Sequence, residues 1–593
     1  MAHFVSQDPG AREHDLGFNP KDAKDGYTTH GRPSRSDDGS ADNVLEQLGY
    51  KPELERNRST LQVAFMSFVL ASIPYGLATT MIYPLAGGGP VDIIWGWLGV
   101  SLIIICVAAS LGEITSVYPT AGGTYVKHVH VDIFSPRLSF FLGRRSVAPA
   151  ENPRAVPGRS ISISSSPLPS QPTNVELTVS PGVYYQAFML APPEWRRVAS
   201  WICGWLYVVG NITITLAVNF GTALFFVACI NVFESEPGVG VLAGEPYQVF
   251  LIFLGLTLLC NAVSSLGNRW LPLLDTAAIF WTFAGVFAIV ISVLVVAKNG
   301  RHDAKYVFTH FEANSGWPKG WSFMVGLLHA GYATSSTGMV ISMCEEVKKP
   351  STQVPKALVF TVILNTLAGL LFLIPLVFVL PDIPYLVGLV SGQPVPAIIK
   401  DAIGSSGGAF GLLFPLMVLA VLCGIGCTTA ASRCTWAFAR DGAIPGSRWW
   451  KQVNRKLDVP LNAMMLSMAV QIILGVIYFG SSAAFNAFSG VGVISLTASY
   501  ACPIAISLFS GRKQLEGASF HLGKFGVAAN VVALAWSVLA MPLFCMPTFV
   551  PVTPTTINYA PAVFVAACLI SGIWYIAWGR KNYAGPPSEE IQH

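Results

Sequence analysis

The chain has 593 residues, of which 11% are charged and 52% are hydrophobic, and its mean hydropathy is +0.54. A soluble domain carries about 25% charged residues, so this composition excludes a soluble globular protein. The net charge of +4 is small for this length and predicts no nucleic-acid-binding surface.

The first 60 residues are polar, unlike the rest of the chain, and they predict a cytoplasmic, largely disordered N-terminal tail over residues 1–60. This tail lacks the basic-then-apolar pattern of a removable signal peptide. Residues 61–580 are predicted to form one membrane domain, and residues 581–593 a short cytoplasmic C-terminal tail.

Twelve segments of the chain are long and apolar enough to cross about 30 Å of hydrocarbon as helices. We therefore predict an all-α polytopic membrane protein in a lipid bilayer. The predicted spans lie near residues 61–85, 91–117, 198–231, 247–266, 275–298, 321–343, 356–380, 409–432, 462–480, 485–510, 525–546 and 560–579.

The basic residues predict the orientation of these spans, because cytoplasmic loops of membrane proteins are enriched in lysine and arginine. With a cytosolic N-terminus, the segments on the cytosolic side hold 14 basic residues and the opposite loops hold 5. An even number of spans then places both termini in the cytosol.

A Ser/Pro-rich segment interrupts this rhythm between the second and third spans. It contains the run ISISSSPLPSQPTN and five arginines, and it cannot bury enough apolar surface to fold alone. We predict a disordered cytoplasmic insertion over residues 125–183.

The first and sixth spans contain helix-breaking residues near their middles. Pro74 and Gly76 weaken the first span, and Gly331 and Gly338 flank a polar run in the sixth. Paired interruptions of this kind mark the binding site of inverted-repeat transporters, although proline and glycine also merely kink membrane helices. The predicted substrate-binding residues are Ser72, Ile73, Pro74, Tyr75, Gly76, Tyr332, Thr334, Ser335, Ser336, Thr337 and Gly338.

Ionisable residues near the spans are further candidates, because burying a charge is costly without a partner or a function. Six of them lie at the predicted cytosolic ends of the second, sixth and eighth spans: Glu113, Glu345, Glu346, Arg433, Arg440 and Asp441. They could form an inner gate of ion pairs, or several could simply be solvated. His329 could carry a coupling proton or could be a packing residue.

No metal site or cofactor is expected. Cys423 and Cys427 are one helical turn apart, but small packing residues are the favoured interpretation. An integral membrane enzyme would need clustered histidines or carboxylates at membrane depth, and the spans do not supply them. No catalytic residue is therefore predicted.

Five motifs resemble those of a known transporter family. SLGEITSVYPTAGGTY, CEEVKKPSTQVPKAL and TWAFARDGAIP look like the inner-loop motifs of amino acid permeases, and LGYKPELERNRS and GGGPVDIIWGW narrow the resemblance. Together they resemble the fungal GABA, choline and amino acid permease branch of the amino acid-polyamine-organocation (APC) superfamily, from about Leu48 to Arg580. The resemblance implies a five-plus-five inverted repeat with two further helices, alternating access, and proton-driven uptake at the plasma membrane.

The chain departs from this family in two places. Relatives often carry an acidic residue and a histidine in the sixth span where this chain has Gly338 and Ser342. A fixed anionic partner for a substrate amine is therefore missing there. Joining Thr124 to Tyr184 restores a family-like sequence, so residues 125–183 are either a retained intron, which we favour, or a genuine loop.

The predicted function is a permease for amino acids or small amines such as GABA or choline, coupled to protons. Two alternatives remain open on the sequence alone. One is a transporter of a secondary metabolite or its precursor, and the other is a transporter-like nutrient sensor.

Overall fold

The structure, a computed structural model, describes residues 67–119, 182–236, 239–297, 301–347, 350–454, 456–480, 484–553 and 557–586. The N-terminal tail, nearly all of the predicted insertion and the end of the C-terminal tail lie outside these residues. The predictions made for those segments therefore remain predictions.

Ten helices in the described ranges are long and apolar enough to cross a membrane. They coincide with ten of the twelve predicted spans, so the prediction of an all-α polytopic membrane protein is confirmed. In chain order they are Asp92–Val117, Arg196–Ile230, Pro246–Leu266, Asn268–Val296, Pro350–Phe378, Ser406–Arg440, Leu461–Phe479, Phe485–Phe509, Phe525–Leu543 and Ala560–Asn582.

The other two predicted spans, the first and the sixth, are each divided into shorter pieces. The described part of the first span comprises helical residues 67–71 and the helices Ile73–Thr80 and Ile82–Gly87. The sixth comprises the helices Lys319–Gly326 and Leu328–Thr334 and the 3-10 segment Ser335–Glu346. Both spans thus change direction or helix type near the residues that the sequence predicts, and the five-plus-five repeat itself remains a prediction.

Shorter elements connect the spans or begin and end them. The connecting helices are Val183–Leu190, Ala304–Thr309, Ile383–Val387, Pro394–Ile403 and Ser447–Trp450. The 3-10 turns are Asn268–Trp270, Val476–Phe479 and Lys513–Leu515, and the π-helical turns are Asp92–Gly96 and Tyr575–Gly579. Strands Glu234–Glu236 and Val239–Gly240 pair antiparallel after the third span.

The third span lies at the centre of the bundle and the twelfth at its edge. In the most apolar window of each span, 89% of the third and 6% of the twelfth is buried. The third span packs against the eighth and tenth, and the second packs against the seventh. Large apolar side chains such as Leu251, Phe280 and Ile573 are exposed on the periphery, where a bilayer would cover them.

Candidate functional site

The first span breaks at Ser72, whose backbone φ is 39°. This left-handed conformation is uncommon for a residue with a side chain, and it lets the chain turn before the helix resumes. Pro74 has no N–H to donate to the carbonyl of Leu70, which would be its helical partner. That carbonyl instead faces the thiols of Cys423 and Cys427, whose Sγ atoms lie 3.5 and 4.0 Å away.

The two cysteines therefore have a structural role beside the break, as weak donors to an orphaned carbonyl and as packing residues. Both are buried. Within the described ranges, no three His, Cys, Asp or Glu side chains gather as a metal ion would require.

The sixth span changes from α-helix to 3-10 helix at Ser335. The hydroxyls of Thr334 and Ser335 bond back to their own helix, with Thr334 donating to Ala330 O at 2.7 Å and Ser335 to Tyr332 O at 2.8 Å. Such back-bonding satisfies the donors locally but leaves oxygen lone pairs available. A 3-10 stretch inside a helix often marks a hinge, so this segment is suited to rearrangement.

Two tyrosines from neighbouring spans bind carbonyl groups of the 3-10 segment. Tyr500 of the tenth span donates to Ser335 O at 3.2 Å, and Tyr207 of the third span donates to Gly338 O at 3.2 Å. A β-carbon at Gly338 would lie 2.5 Å from two ring carbons of Tyr500. Position 338 therefore has no room for a side chain unless the Tyr500 ring moves.

A cavity of about 290 Å³, here called the inter-break cavity, lies between the two interruptions. Much of this volume is narrow or open to solvent, and the part wide enough for a water molecule holds about one, so a substrate would fit only if the cavity widened. The lining residues are Leu70, Ala71, Tyr75, Gly76, Ile214, Val218, Tyr332, Ala333, Ser335, Ser336, Cys423 and Cys427.

A second cavity of about 410 Å³ lies on another side of the sixth span, against the second, tenth and eleventh spans. Thr334, Thr337 and Gly338 line this cavity rather than the first, and Ser335 contributes to both. The predicted substrate-binding residues are thus divided between two cavities. Ser72, Ile73 and Pro74 are buried beside the break and line neither of them.

The two tyrosines of the inter-break cavity differ in what their hydroxyl groups contact. The hydroxyl of Tyr75 donates to Val218 O at 2.9 Å and lies 2.8 Å from Thr222 Oγ1, so it ties the first span to the third. The hydroxyl of Tyr332 is buried and has no hydrogen-bond partner in the described part of the chain. A buried polar group without a partner is costly, so Tyr332 is the side chain here that most needs a ligand or water.

His329 lies one turn before Tyr332 and is also buried. Its Nδ1 is 3.0 Å from Thr80 Oγ1, and Thr80 in turn donates to Gly76 O at 2.8 Å. Its Nε2 has no partner among the described residues. The histidine thus connects the sixth span to the first one helical turn away from Tyr332.

Glu113, a predicted gate residue, is fully buried at the end of the second span, and its partners lie in the loop after the tenth span. Arg512 Nη2 lies 2.8 and 2.6 Å from its two carboxylate oxygens, and His521 Nδ1 lies 2.9 Å from one of them. The backbone N–H of Leu522 adds a third donor at 3.1 Å. Sequence reasoning missed both side-chain partners, because about 400 residues separate them from Glu113 and no local pattern marks them.

The other predicted gate residues have contacts of their own at the same end of the bundle. Arg433 donates to Asn268 Oδ1 at 2.9 Å, and Tyr184 donates to Asp441 Oδ2 at 2.9 Å. Arg440 lies over a tryptophan ring, 4.4 Å from its centre. The side chains of two further predicted gate residues lie outside the described structure: Glu345 and Glu346.

Comparison with known proteins agrees with this architecture. The family model for amino acid permeases matches residues 176–568. The amino-acid permease BAT1 homolog of Oryza sativa subsp. japonica is 30% identical, covering 91% of this chain and 94% of its own length. Two Saccharomyces cerevisiae proteins are each 27% identical: the choline transporter, over 89% of this chain and 83% of its own length, and the polyamine transporter TPO5, over 100% and 86%.

A family match over most of the chain, the interrupted first and sixth spans and the cavity between them point to the same conclusion. The chain belongs to the amino acid permease family, and it is a multi-pass membrane transporter.

Proposed function

We propose that this permease carries a small amino acid or amine, and that the substrate binds in the inter-break cavity. The observation that carries the proposal is the hydroxyl of Tyr332, which has no hydrogen-bond partner among the described residues and lies on the wall of the cavity between the two broken spans. Alternating access requires a ligand that binds two conformations differently, and hinged helices are the elements that change between such conformations.

The chemistry of the cavity wall fits a substrate with both an apolar body and a polar head. The rings of Tyr75 and Tyr332 can contact an alkyl chain or an ammonium group. The lone pairs of Ser335 and Ser336 can accept hydrogen bonds from an amine, and the Tyr332 hydroxyl can donate to a carboxylate. The residues that line the cavity include no acid. The site is therefore expected to accept a broad range of amines.

The names of the relatives support this substrate class. A choline transporter, a polyamine transporter and amino-acid permeases all handle compounds with an amine or ammonium group. These substrates differ in size and charge. The difference agrees with a site that recognises the amine or ammonium group without a fixed anionic side chain. An acid in place of Gly338 would line the second cavity rather than this one, and the Tyr500 ring occupies that space.

Opening toward the cytosol is proposed to require separation of the contacts around Glu113. The bidentate pair with Arg512 joins the second span to the loop between the tenth and eleventh. Such a pair closes the predicted cytosolic end and must break or move before substrate can leave. Arg433, Arg440 and Asp441, with Glu345 and Glu346, are proposed to belong to the same gate.

Coupling to protons is proposed to involve His329. Its ring bridges the two broken spans through Thr80 and keeps one nitrogen without a partner among the described residues. A change of its protonation would therefore alter a contact between the moving parts. We further propose a plasma-membrane location with both termini in the cytosol, on the strength of the basic-residue asymmetry.

Uptake of a labelled panel in a permease-deficient host tests the proposal. The panel contains amino acids, GABA, choline and polyamines, measured at acidic and neutral pH with and without a protonophore. Transport of a panel member supports the substrate class. Accumulation that is unchanged by both pH and protonophore refutes proton coupling. No uptake of any member would favour a secondary metabolite instead.

A variant assigns the site. Tyr332→Phe removes only the unpaired hydroxyl and is expected to raise the apparent KM for a carboxylate-bearing or hydroxylated substrate by about tenfold, equivalent to one lost hydrogen bond. Tyr385→Phe is the matched control, because Tyr385 is exposed in the connecting helix Ile383–Val387. Equal kinetics for the Tyr332 and Tyr385 variants would place the site elsewhere.

A further inference from the structure

Asp92 is a buried carboxyl group for which neither the motifs nor the family match assigns a role. It begins the π-helical turn Asp92–Gly96 at the start of the second span, and its relative exposure is 1%. Neither of its carboxyl oxygens has a hydrogen-bond partner among the residues that the structure describes. A buried acid without partners is unusual, because a group of this kind is normally paired or bound to a ligand.

Three glycines from three different helices form the space around this carboxyl group. A β-carbon at Gly87, at the end of the first span, or at Gly326, in the sixth span, would collide with Oδ2 of Asp92. A β-carbon at Gly96 would lie 2.5 Å from Oδ1. The carboxyl group therefore lies where the first, second and sixth spans converge, and it fits there only because these positions lack side chains.

Among the residues that the structure describes, no charge that could neutralise an ionised Asp92 is close to it. The elements packed against its turn are Ile82–Gly87, Trp97–Val117, Lys319–Gly326 and Pro350–Phe378. Their ionisable side chains are Tyr83, Cys106, Glu113, Lys319 and Lys356. Tyr83 donates elsewhere, to Asn486, and Glu113 is bound to Arg512 at the far end of its helix.

The two lysines and the adjoining loop do not place a neutralising charge beside Asp92. Lys319 precedes Gly326 by seven residues, about 10 Å along the helix, and Lys356 is in the predicted cytosolic half of its span. In the loop that follows the fifth span, His310 and Glu312 contact each other at 3.3 Å. An ionised carboxylate without partners is strongly disfavoured in such a site, so this space favours the neutral carboxyl group over the ionised one.

The location of Asp92 links its protonation to the closing of the bundle. Orientation by basic residues places Gly87 and Gly326 at the predicted outer end, above the inter-break cavity. Ser322 of the same sixth-span helix donates to Gly87 O at 2.5 Å, so the outer halves of the two broken spans are in direct contact. His329 follows Gly326 by three residues, about 4.5 Å deeper along the helix, and its Nε2 has no partner in the described structure.

We propose that the carboxyl group of Asp92 is a proton-binding site, loaded from water at the predicted outer end, whose protonation is required for the first and sixth spans to close over the inter-break cavity. Ionised, it cannot occupy the glycine-lined space, so the outer end stays open. The proton taken up from outside leaves for water on the cytosolic side after the bundle has reopened there. His329 lies between Asp92 and that side. The inference deepens the proposed function and rests on it for the coupling to substrate.

Infrared spectroscopy of the purified full-length protein in lipid nanodiscs tests the protonation directly. The carbonyl stretch of a protonated carboxylic acid is separate from that of a carboxylate. We expect this band at neutral pH in the wild type and in Glu312→Gln, a matched control that removes a partly exposed acid from the neighbouring loop, and its loss in Asp92→Asn. An undiminished band in Asp92→Asn would overturn the proposal.

Reconstituted vesicles test the coupling, with labelled choline, GABA and spermidine as probes. With an imposed gradient of one pH unit and no membrane potential, one proton per substrate supports about tenfold accumulation. Asp92→Asn is expected to lose this accumulation while still exchanging labelled for unlabelled probe. If Asp92→Asn does not reach the membrane, Asp92→Ala, which is apolar and smaller than the space, replaces it.

The outcomes separate the inference from the proposed function. Full accumulation by the Asp92 variant would overturn the inference and leave the permease function intact. If the wild type moves none of the three probes, the proposed substrate class fails, and the infrared band still decides whether Asp92 holds a proton.

Discussion

Replacing Arg512 by alanine is expected to destabilise the protein by about 3 kcal/mol, at the lower end of the range of about 3–5 kcal/mol for breaking a buried ion pair. Glu113 is fully buried, and Arg512 contacts both of its carboxylate oxygens. Removing the guanidinium leaves the carboxylate with the N–H of Leu522 and with His521. Those two contacts are why we expect the lower end of the range.

Two further variants separate the contributions of His521 and of the Glu113–Arg512 ion pair to stability. His521→Ala is expected to cost only about 0–1 kcal/mol, because the side chain of His521 is 49% exposed and exposed pairs are weak. The double variant Glu113→Leu with Arg512→Leu removes both charges and is expected to be more stable than Arg512→Ala, since no uncompensated charge remains.

Thermal unfolding of the detergent-purified protein measures these differences, with a thiol-reactive fluorophore as the reporter. The reporter suits this chain because seven of its cysteines are buried and react only on unfolding. The reasoning would be refuted if Arg512→Ala melted with the wild type, or if His521→Ala were as damaging as Arg512→Ala.

Three other predictions concern the site, the orientation and the insertion. A β-carbon at Gly76 would lie 3.5 Å from that of Ala333, so Gly76→Ala should transport, whereas Gly76→Leu should fill the inter-break cavity and abolish uptake at normal surface expression. Normal uptake by Gly76→Leu would show that the substrate does not bind in the inter-break cavity. Tags on both termini should be protected from protease in intact cells, and one accessible tag would contradict the orientation. Deleting Tyr125–Val183 should preserve uptake, whereas its loss would indicate a regulatory loop; transcript sequencing decides whether the segment is an intron.

The span pattern could be predicted from the sequence because it depends on a local property, apolar length. The interruption at Ser72 was also foreseeable, since Pro74 removes one specific helical hydrogen bond and the effect is confined to a single turn. In the sixth span, glycines and hydroxyl-bearing residues marked the hinge region, although the change to 3-10 geometry was not specified by them.

The partners of the candidate residues could not be predicted in the same way. Arg512 and Glu113 meet only because the tenth span and its loop pack beside the second, a tertiary relation that leaves no local pattern. Asp92 was overlooked because it lies in a motif that was used only for the family resemblance. The polar run of the sixth span was treated as one surface, but a helix distributes consecutive residues around its axis, and this divides Thr334 and Ser336 between two cavities.

The contact between Gly338 and the ring of Tyr500 implies strong epistasis between these two positions. The family resemblance leads one to expect an acid at 338, yet a side chain there collides with the ring, and a smaller residue at 500 alone would leave Ser335 O without its donor. Either single substitution is therefore expected to be harmful, and an acid can enter position 338 only if position 500 changes with it. The charge of the second cavity, which both residues line, is thus determined jointly by the two positions.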